Sequence, residues 1–254
     1  MNSICGVQFV RNGIQYDYCF EQSIFSMLEC CDFVVVVDAG STDGTLEKLY
    51  AINNPLLKII SLPNSEWEGQ QGTGKSKLCY FTNIAIQEAD RMGFSYVLSC
   101  QSDEVIHEAS YEAIRKAVQD NDEGYLIRRV NLWKSPYLQL DVPQNRLPCS
   151  DYVLRLAKVN YRAYGDAESL NAPANEDYTN SIRMYHMGFV RRKKVMKDKI
   201  INMQEGVFEM GHHDPKLDGS DTFNPDLWFN PEDDLRPIDE PLPAVIEKWA
   251  FERR

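Results

Sequence analysis

Five consecutive residues of strong β preference, Phe33–Val37, run straight into Asp38-Ala39-Gly40-Ser41-Thr42-Asp43-Gly44-Thr45. A continuous apolar run of this kind suits a strand covered on both faces, as in a parallel sheet, and such a strand requires helices on either side. The flanking sequence supplies them. Ile4–Val10 has the character of a first strand, and Phe20, Ile24, Met27, Leu28 and Cys31 recur at helical spacing, which predicts an amphipathic helix over 17–31. Leu46, Leu49 and Tyr50 open a second helix, Leu57–Leu62 is a strand stopped by Pro63, and Asn64–Thr73 is expected to be a polar loop. Leu78, Phe81, Thr82, Ala85 and Ala89 form a helix face, Tyr96–Cys100 a fourth strand, and Tyr111, Ile114, Ala117 and Val118 a further helix. This strand–helix alternation predicts an α/β fold with a mostly parallel central sheet and helices on both faces.

Past residue 124 the pattern loosens. Tyr125–Val130 and Val153–Val159 resemble strands, residues 211–243 are rich in Asp and Pro, and a short helix is expected at Ala244–Phe251. We therefore expect a catalytic domain over 1–210 and an extended C-terminal segment over 211–254 ending in that helix. No apolar run approaches the ~20 residues that span a bilayer, and the N-terminus lacks a basic region followed by a long apolar stretch. Seven cysteines, an odd number without CxxC spacing, suit thiols in a reducing cytoplasm. The net charge of −11 argues against a broad nucleic-acid surface. It also means that a phosphate-bearing ligand needs a metal or a local basic patch to offset the negative field.

Open parallel sheets bind ligands beyond the carboxyl ends of their strands, and two acidic motifs are expected there. At the first, Asp38 can accept hydrogen bonds from a base N–H or from ribose hydroxyls, Gly40 and Gly44 permit tight turns, and Ser41, Thr42 and Asp43 can cap the next helix. The bland alternative is a well-formed strand-to-helix turn. At the second, Gln101-Ser102-Asp103-Glu104 follows the fourth strand. A carboxylate there can hold a hard divalent cation against a diphosphate, whose oxygens and water complete the shell. Its alternative is an acidic pair at a helix N-terminus, favoured by the dipole.

The segment Val34–Thr45, with Asn12 after the first strand, closely resembles the nucleotide-binding motif of family-2 glycosyltransferases of the GT-A fold, over roughly residues 1–120 and more weakly to about 200. Two departures stand out: many members carry adjacent aspartates where this chain has Asp38-Ala39, and Gln101 replaces the first acid of Asp-x-Asp. The resemblance implies a Rossmann-like nucleotide-sugar transferase moving a sugar, of hexosyl type, from a UDP- or GDP-linked donor to an acceptor hydroxyl on a glycan, protein or modified base, with inversion. It implies Asp38, Ser41 and Asp43 at the nucleotide, and Asp103 and Glu104 on Mn2+ or Mg2+, with Gln101 as a neutral oxygen donor. It also implies His186 of Tyr185-His186-Met187-Gly188 as a further metal ligand, and Asn83 and Lys75 or Lys77 near the phosphates. In the basic stretch Arg191-Arg192-Lys193-Lys194, with Lys197 and Lys199, Arg191 or Arg192 are candidates for the diphosphate, against the alternative of a solvated helix face.

An inverting transfer needs a base near the acceptor, usually Asp or Glu. Glu176 and Asp177 are the first candidates, with Asp166 and Glu168 as further options. His212-His213-Asp214 is read as loop chemistry. Gly69–Ser76 matches the Walker A pattern letter for letter, which makes a P-loop NTPase or kinase the main competitor. A nucleotidyltransferase and a catalytically degenerate carbohydrate-binding protein are the remaining alternatives.

Overall fold

The computed structural model describes residues 2–70, 74–143, 150–203 and 234–251. Its first half follows the expected alternation: β1 (Ile4–Val10), α1 (Phe20–Cys30), β2 (Phe33–Asp38), α2 (Thr45–Ala51), β3 (Leu57–Ser61), α3 (Asn64–Gly69), α4 (Gly74–Arg91), β4 (Tyr96–Ser99), β5 (Glu104–Ile106) and α5 (Tyr111–Asp120). The remainder is β6 (Gly124–Trp133), β7 (Ser135–Leu140), β8 (Tyr152–Lys158), β9 (Ala163–Tyr164), β10 (Ser169–Leu170), β11 (Arg183–Phe189), α6 (Lys193–Ile201), β12 (Leu235–Pro237) and α7 (Ala244–Phe251).

A ten-stranded sheet forms the centre, in the order β12-β7-β6-β8-β4-β1-β2-β3, with β11 beside β6 and β5 beside β11. β3, β2, β1 and β4 pair in parallel. β8 runs against β4 and β6 against β8, so β6 again points the same way as β1. β11 is parallel to β6, while β5 and β7 are reversed and β12 is turned back again. Strands β1, β2, β3, β4, β6, β11 and β12 thus share one direction, giving a mixed α/β fold with a mostly parallel sheet.

Both faces are covered, as the unbroken apolar run of β2 requires. Val34 and Val36 pack with α1 and α5 in one core, and Val35 and Val37 pack with Phe81, Ala85 and Ala89 of α4 in the other. The short C-terminal helix lies where the sequence placed it: Ile246, Trp249 and Ala250 of α7 pack against Val105, Leu132 and Tyr185.

One expected loop is a helix. Asn64–Gly69 forms α3 because Trp67 stacks on Phe81 with ring centroids 5.3 Å apart, a tertiary contact invisible to local propensity. This also removes the context that the Walker A pattern needs. A phosphate-binding loop joins a strand directly to a helix, whereas here α3 follows β3 and Gly69, the first residue of the pattern, is its last residue. Residues 71–73, within that pattern, lie outside the described residues, as do His212, His213 and Asp214.

Candidate functional site

β1 is flanked by β2 on one side and β4 on the other, so the chain reverses its direction of growth across the sheet at the β1/β4 junction. A crevice opens beyond the carboxyl ends of strands at such a switch point. Asp38, the last residue of β2, pairs in register with Val10. On the other side of β1, the Ser102 hydroxyl donates to Phe9 O at 2.6 Å, which brings Asp103 to the same edge.

The Asp38 loop is built from its own motif. Asp38 Oδ2 accepts from Ser41 N at 3.2 Å, Ser41 Oγ accepts from Asn12 N at 2.9 Å, and Asn12 Oδ1 accepts from Thr42 N at 2.9 Å. Asp43 caps α2, accepting from Thr45 N at 3.0 Å and Oγ1 at 2.6 Å, and its other oxygen accepts from Gln15 N at 2.6 Å. The N-cap position of α2 is Gly44, so Asp43 acts one residue earlier, and Ser41 and Asp43 therefore shape the loop. Gly40 has a positive φ of 76°, and a Cβ there would lie 2.5 Å from Asn64 Cα, so only glycine lets α3 close over this turn. Arg11 donates to Ala39 O and Gly40 O and lies 4.7 Å over the Trp67 ring.

What remains at the centre is Asp38 Oδ1, fully buried and without a hydrogen-bond partner. Burial pushes the Asp38 pKa up, against the lowering pull of Ser41 and the Gly40 amide. An unsatisfied buried carboxylate oxygen is costly and therefore points to a missing donor.

Asp103 is also buried but richly partnered. Its Oδ2 accepts from Arg191 Nη2 at 2.9 Å and Lys199 Nζ at 3.3 Å, and its Oδ1 lies 3.9 Å from His186 Nε2. Burial alone would raise its pKa; Lys199, His186 and Arg191 overcome this and hold the carboxyl well below the usual carboxylate range. His186 moves the other way. Burial pulls its pKa well below that of an ordinary histidine, against the raising effect of Asp103.

The next contacts bear on the His186 tautomer. Asn131 Nδ2 donates to Asp151 Oδ1 at 2.7 Å, which leaves Asn131 Oδ1 facing His186 Nδ1 at 3.0 Å. In the tautomer protonated at Nδ1, that nitrogen donates to Asn131 Oδ1 and Nε2 is the nitrogen that faces Asp103. Gly188 keeps that side open. Its φ is not left-handed, yet a Cβ there would collide with His186 Nε2. The His-x-Gly spacing thus has a steric cause. Gly188→Ala is expected to displace the ring and weaken Mn2+ binding by roughly 10–100-fold, with at most a modest fall in melting temperature; titration followed by Mn2+ paramagnetic resonance checks it.

The donor set fits a divalent cation. One carboxylate oxygen and one oriented imidazole nitrogen suit Mn2+. Cations of this size lie about 2.0–2.2 Å from such atoms, so a 3.9 Å gap between the donors can be bridged. Among the described residues no group of three His, Cys, Asp or Glu side chains is placed to hold a metal ion, so further ligands would come from outside this pair.

Other expected residues are engaged in structural contacts, within the site or away from it. Glu104 is fully buried away from Asp103's oxygens, with Arg155 Nη2 at 2.7 Å and Arg129 Nη1 at 3.3 Å. Its role is that of a core counter-ion, and Arg129 is shared with Glu168. Arg191 is spent on Asp103, Tyr16 O, Met187 O and Gly188 O. Both ends of the Asn83 amide bind Ala163. The backbone of Lys75 lies in α4, and Lys77 sits 5.8 Å over Trp67.

Glu176 and Asp177 are not brought to this edge. Asn175 bridges to Tyr125, at the start of β6. That point is six residues from Asn131, about 20 Å along the strand at the opposite end of the sheet. Asp151, just before β8, does stand here, and Glu168 reaches the adjacent Ser150, accepting from its N at 3.1 Å while it pairs with Arg129. Asp151 is half-buried, and burial raises its pKa against Asn131 and nearby arginines. No motif marks it in the sequence; only the reversal of β8 brings it in.

No protein-family model and no curated protein sequence matches the chain. Among solved structures, S. aureus TarS 1–349 is similar at 16% identity and a TM-score of 0.47, covering 80% of this chain and 66% of that one. TarS 1–349 in complex with UDP gives 12% and 0.46, covering 85% and 77%. The mannosyltransferase PcManGT from Pyrobaculum calidifontis, in complex with GDP-Man and Mn2+, gives 15% and 0.45, covering 89% and 67%. The chain spans just under two thirds of TarS 1–349 and 40% of the longer TarS chain.

Proposed function

We propose that this chain is a GT-A-type, nucleotide-sugar-dependent glycosyltransferase that passes a sugar to a hydroxyl acceptor. The observation that carries this reading is the convergence of an orphaned carboxylate oxygen at Asp38 and an Asp103–His186 donor pair on one sheet edge, on either side of β1. Asp38 Oδ1 would take a hydrogen bond from the nucleoside. Asp103 and His186 would hold Mn2+ or Mg2+, which when bound supplies positive charge to a departing diphosphate. Asn131 and Asp151 fix the imidazole in the tautomer that this requires.

Asp151, with its raised pKa, is the best-placed base to take the acceptor proton, at the oxygen that Asn131 does not engage. A single in-line displacement with that base would invert the anomeric carbon. Arg11 and Trp67 close the nucleotide side and limit water.

The test is a thermal-shift series with UDP and GDP, with and without Mn2+. At ligand near 100 times its dissociation constant, native-state binding adds about 2.7 kcal/mol, or roughly 5–10 °C for a chain of this size. No shift with any nucleoside diphosphate ends the reading. Binding without turnover, in the presence of acceptor, would instead mark a degenerate carbohydrate-binding protein.

Asp38→Asn sharpens the test. A carboxyl whose folded pKa is raised contributes stability only below its unfolded pKa, about 3.9, and loses it as pH rises through the folded value. The ionised group is therefore a cost at neutral pH. The neutral amide should raise the melting temperature by about 2–4 °C, equivalent to about 1 kcal/mol, while removing the nucleotide-induced shift. Loss of stability in that variant, with nucleotide binding retained, would contradict the role assigned to Oδ1.

A further inference from the structure

Two side-chain cations meet on one oxygen of Asp103, and they are held very differently. Arg191 is locked: Nε donates to Tyr16 O at 2.8 Å, Nη1 to Met187 O at 3.0 Å and to Gly188 O, and its guanidinium lies 4.6 Å over the Tyr18 ring. Lys199 arrives on a flexible stem from the last turn of α6. Its ammonium is 3.3 Å from Asp103 Oδ2 and 2.8 Å from Gly188 O, and 5.6 Å from the centres of both the Tyr18 and Phe189 rings. The side chain is only 12% exposed. Both ring faces suit a cation.

The Asp103–His186 pair therefore already holds positive charge. A divalent ion entering alone would face two like charges within a few ångströms and share a single carboxylate with them. Like charges at this separation in a poorly solvated site repel strongly. Arginine is a rigid planar fork, here with all its nitrogens engaged; lysine is a compact point charge that can swing.

The geometry points to Lys199 as a resident counter-ion that occupies Asp103 in the unloaded protein and moves onto a phosphate oxygen of the donor when the divalent cation and diphosphate enter together. This inference rests on the glycosyltransferase reading of the same site and adds an order to it. The metal alone binds weakly, the nucleotide brings the negative charge that accepts the displaced ammonium, and the two bind cooperatively. Lys199 thereby guards an acidic protein against loading a bare cation and becomes a phosphate contact only in the loaded state.

The experiment measures Mn2+ binding to the full chain by paramagnetic resonance, with and without UDP or GDP, for the wild type, Lys199→Met and Lys199→Arg. Circular dichroism melts confirm folding of each. Lys199→Met is expected to bind Mn2+ alone at least about tenfold more tightly and to lose most of the nucleotide–metal cooperativity. Lys199→Arg, which keeps the charge, is expected to bind Mn2+ alone as weakly as the wild type. Unchanged or weaker Mn2+ affinity in folded Lys199→Met overturns the inference while leaving the metal site standing. Absence of Mn2+ binding in every variant, even with nucleotide, overturns the metal reading and this inference with it.

Discussion

Asp103→Asn is expected to reduce sugar transfer by roughly 10^3-fold, the equivalent of about 4 kcal/mol of transition-state stabilisation. The amide keeps the shape and an acceptor oxygen but loses the charge that holds the cation. The same change should also destabilise the fold, because Asp103 does not lie on an open surface. It is buried and neutralises Arg191, whose side chain is fully buried, and Lys199. Leaving those cations uncompensated should cost about 3 kcal/mol, lowering the melting temperature by roughly 6–12 °C. The two losses separate experimentally: turnover per folded molecule at low temperature reports the first, and a melt without ligand reports the second. Unchanged turnover would remove Asp103 from the site. An unchanged melting temperature would contradict the buried charge cluster.

The second large effect lies one residue away and is of another kind. Glu104→Gln should destabilise the protein by about 3–5 kcal/mol. Glu104 sits between Arg129 and Arg155, and all three side chains are at most 1% exposed. Removing its charge leaves two guanidinium groups in a desolvated core. Glu168 pairs directly with Arg129 and acts on Arg155 only at longer range, and Arg155 already has a buried Nε without a partner. A urea or thermal melt measures the loss. Mn2+ affinity of the folded fraction decides between the two roles that adjacent acids suggest. Retained affinity marks a core counter-ion, and abolished affinity would return Glu104 to the ligand set. The pair Asp103-Glu104 thus divides where a turn hands over to β5: Asp103, the last residue of the turn, meets Arg191, Lys199 and His186, and Glu104, the first residue of the strand, meets the core arginines.

How much of this was legible follows the range of the forces involved. Strands β1 to β4, the turn at Asp38 and the terminal helix at Ala244–Phe251 are written locally, in apolar periodicity and turn chemistry. Asp38, Asp103 and His186 each stood out by their place beside such signals. The basic run around Arg191 has the composition of a solvated helix face, yet Arg191 and Lys199 turn inward because β11 and α6 wrap them over Asp103. Glu176 and Asp177 sit in an Asn-rich loop before His186 and so look close to it, but β11 carries the chain across the sheet between them. Asp151 has no local signature at all.

The sequence alone determined the α/β class and the placing of acidic motifs after predicted strands, because hydrophobic alternation and glycine-permitted turns act between near neighbours. Tertiary structure alone decided the switch point beside β1, which carboxylates come to it and which cations neutralise them. Those outcomes depend on the reversal of β8 and on burial, and both are set by pairings between residues distant in the chain.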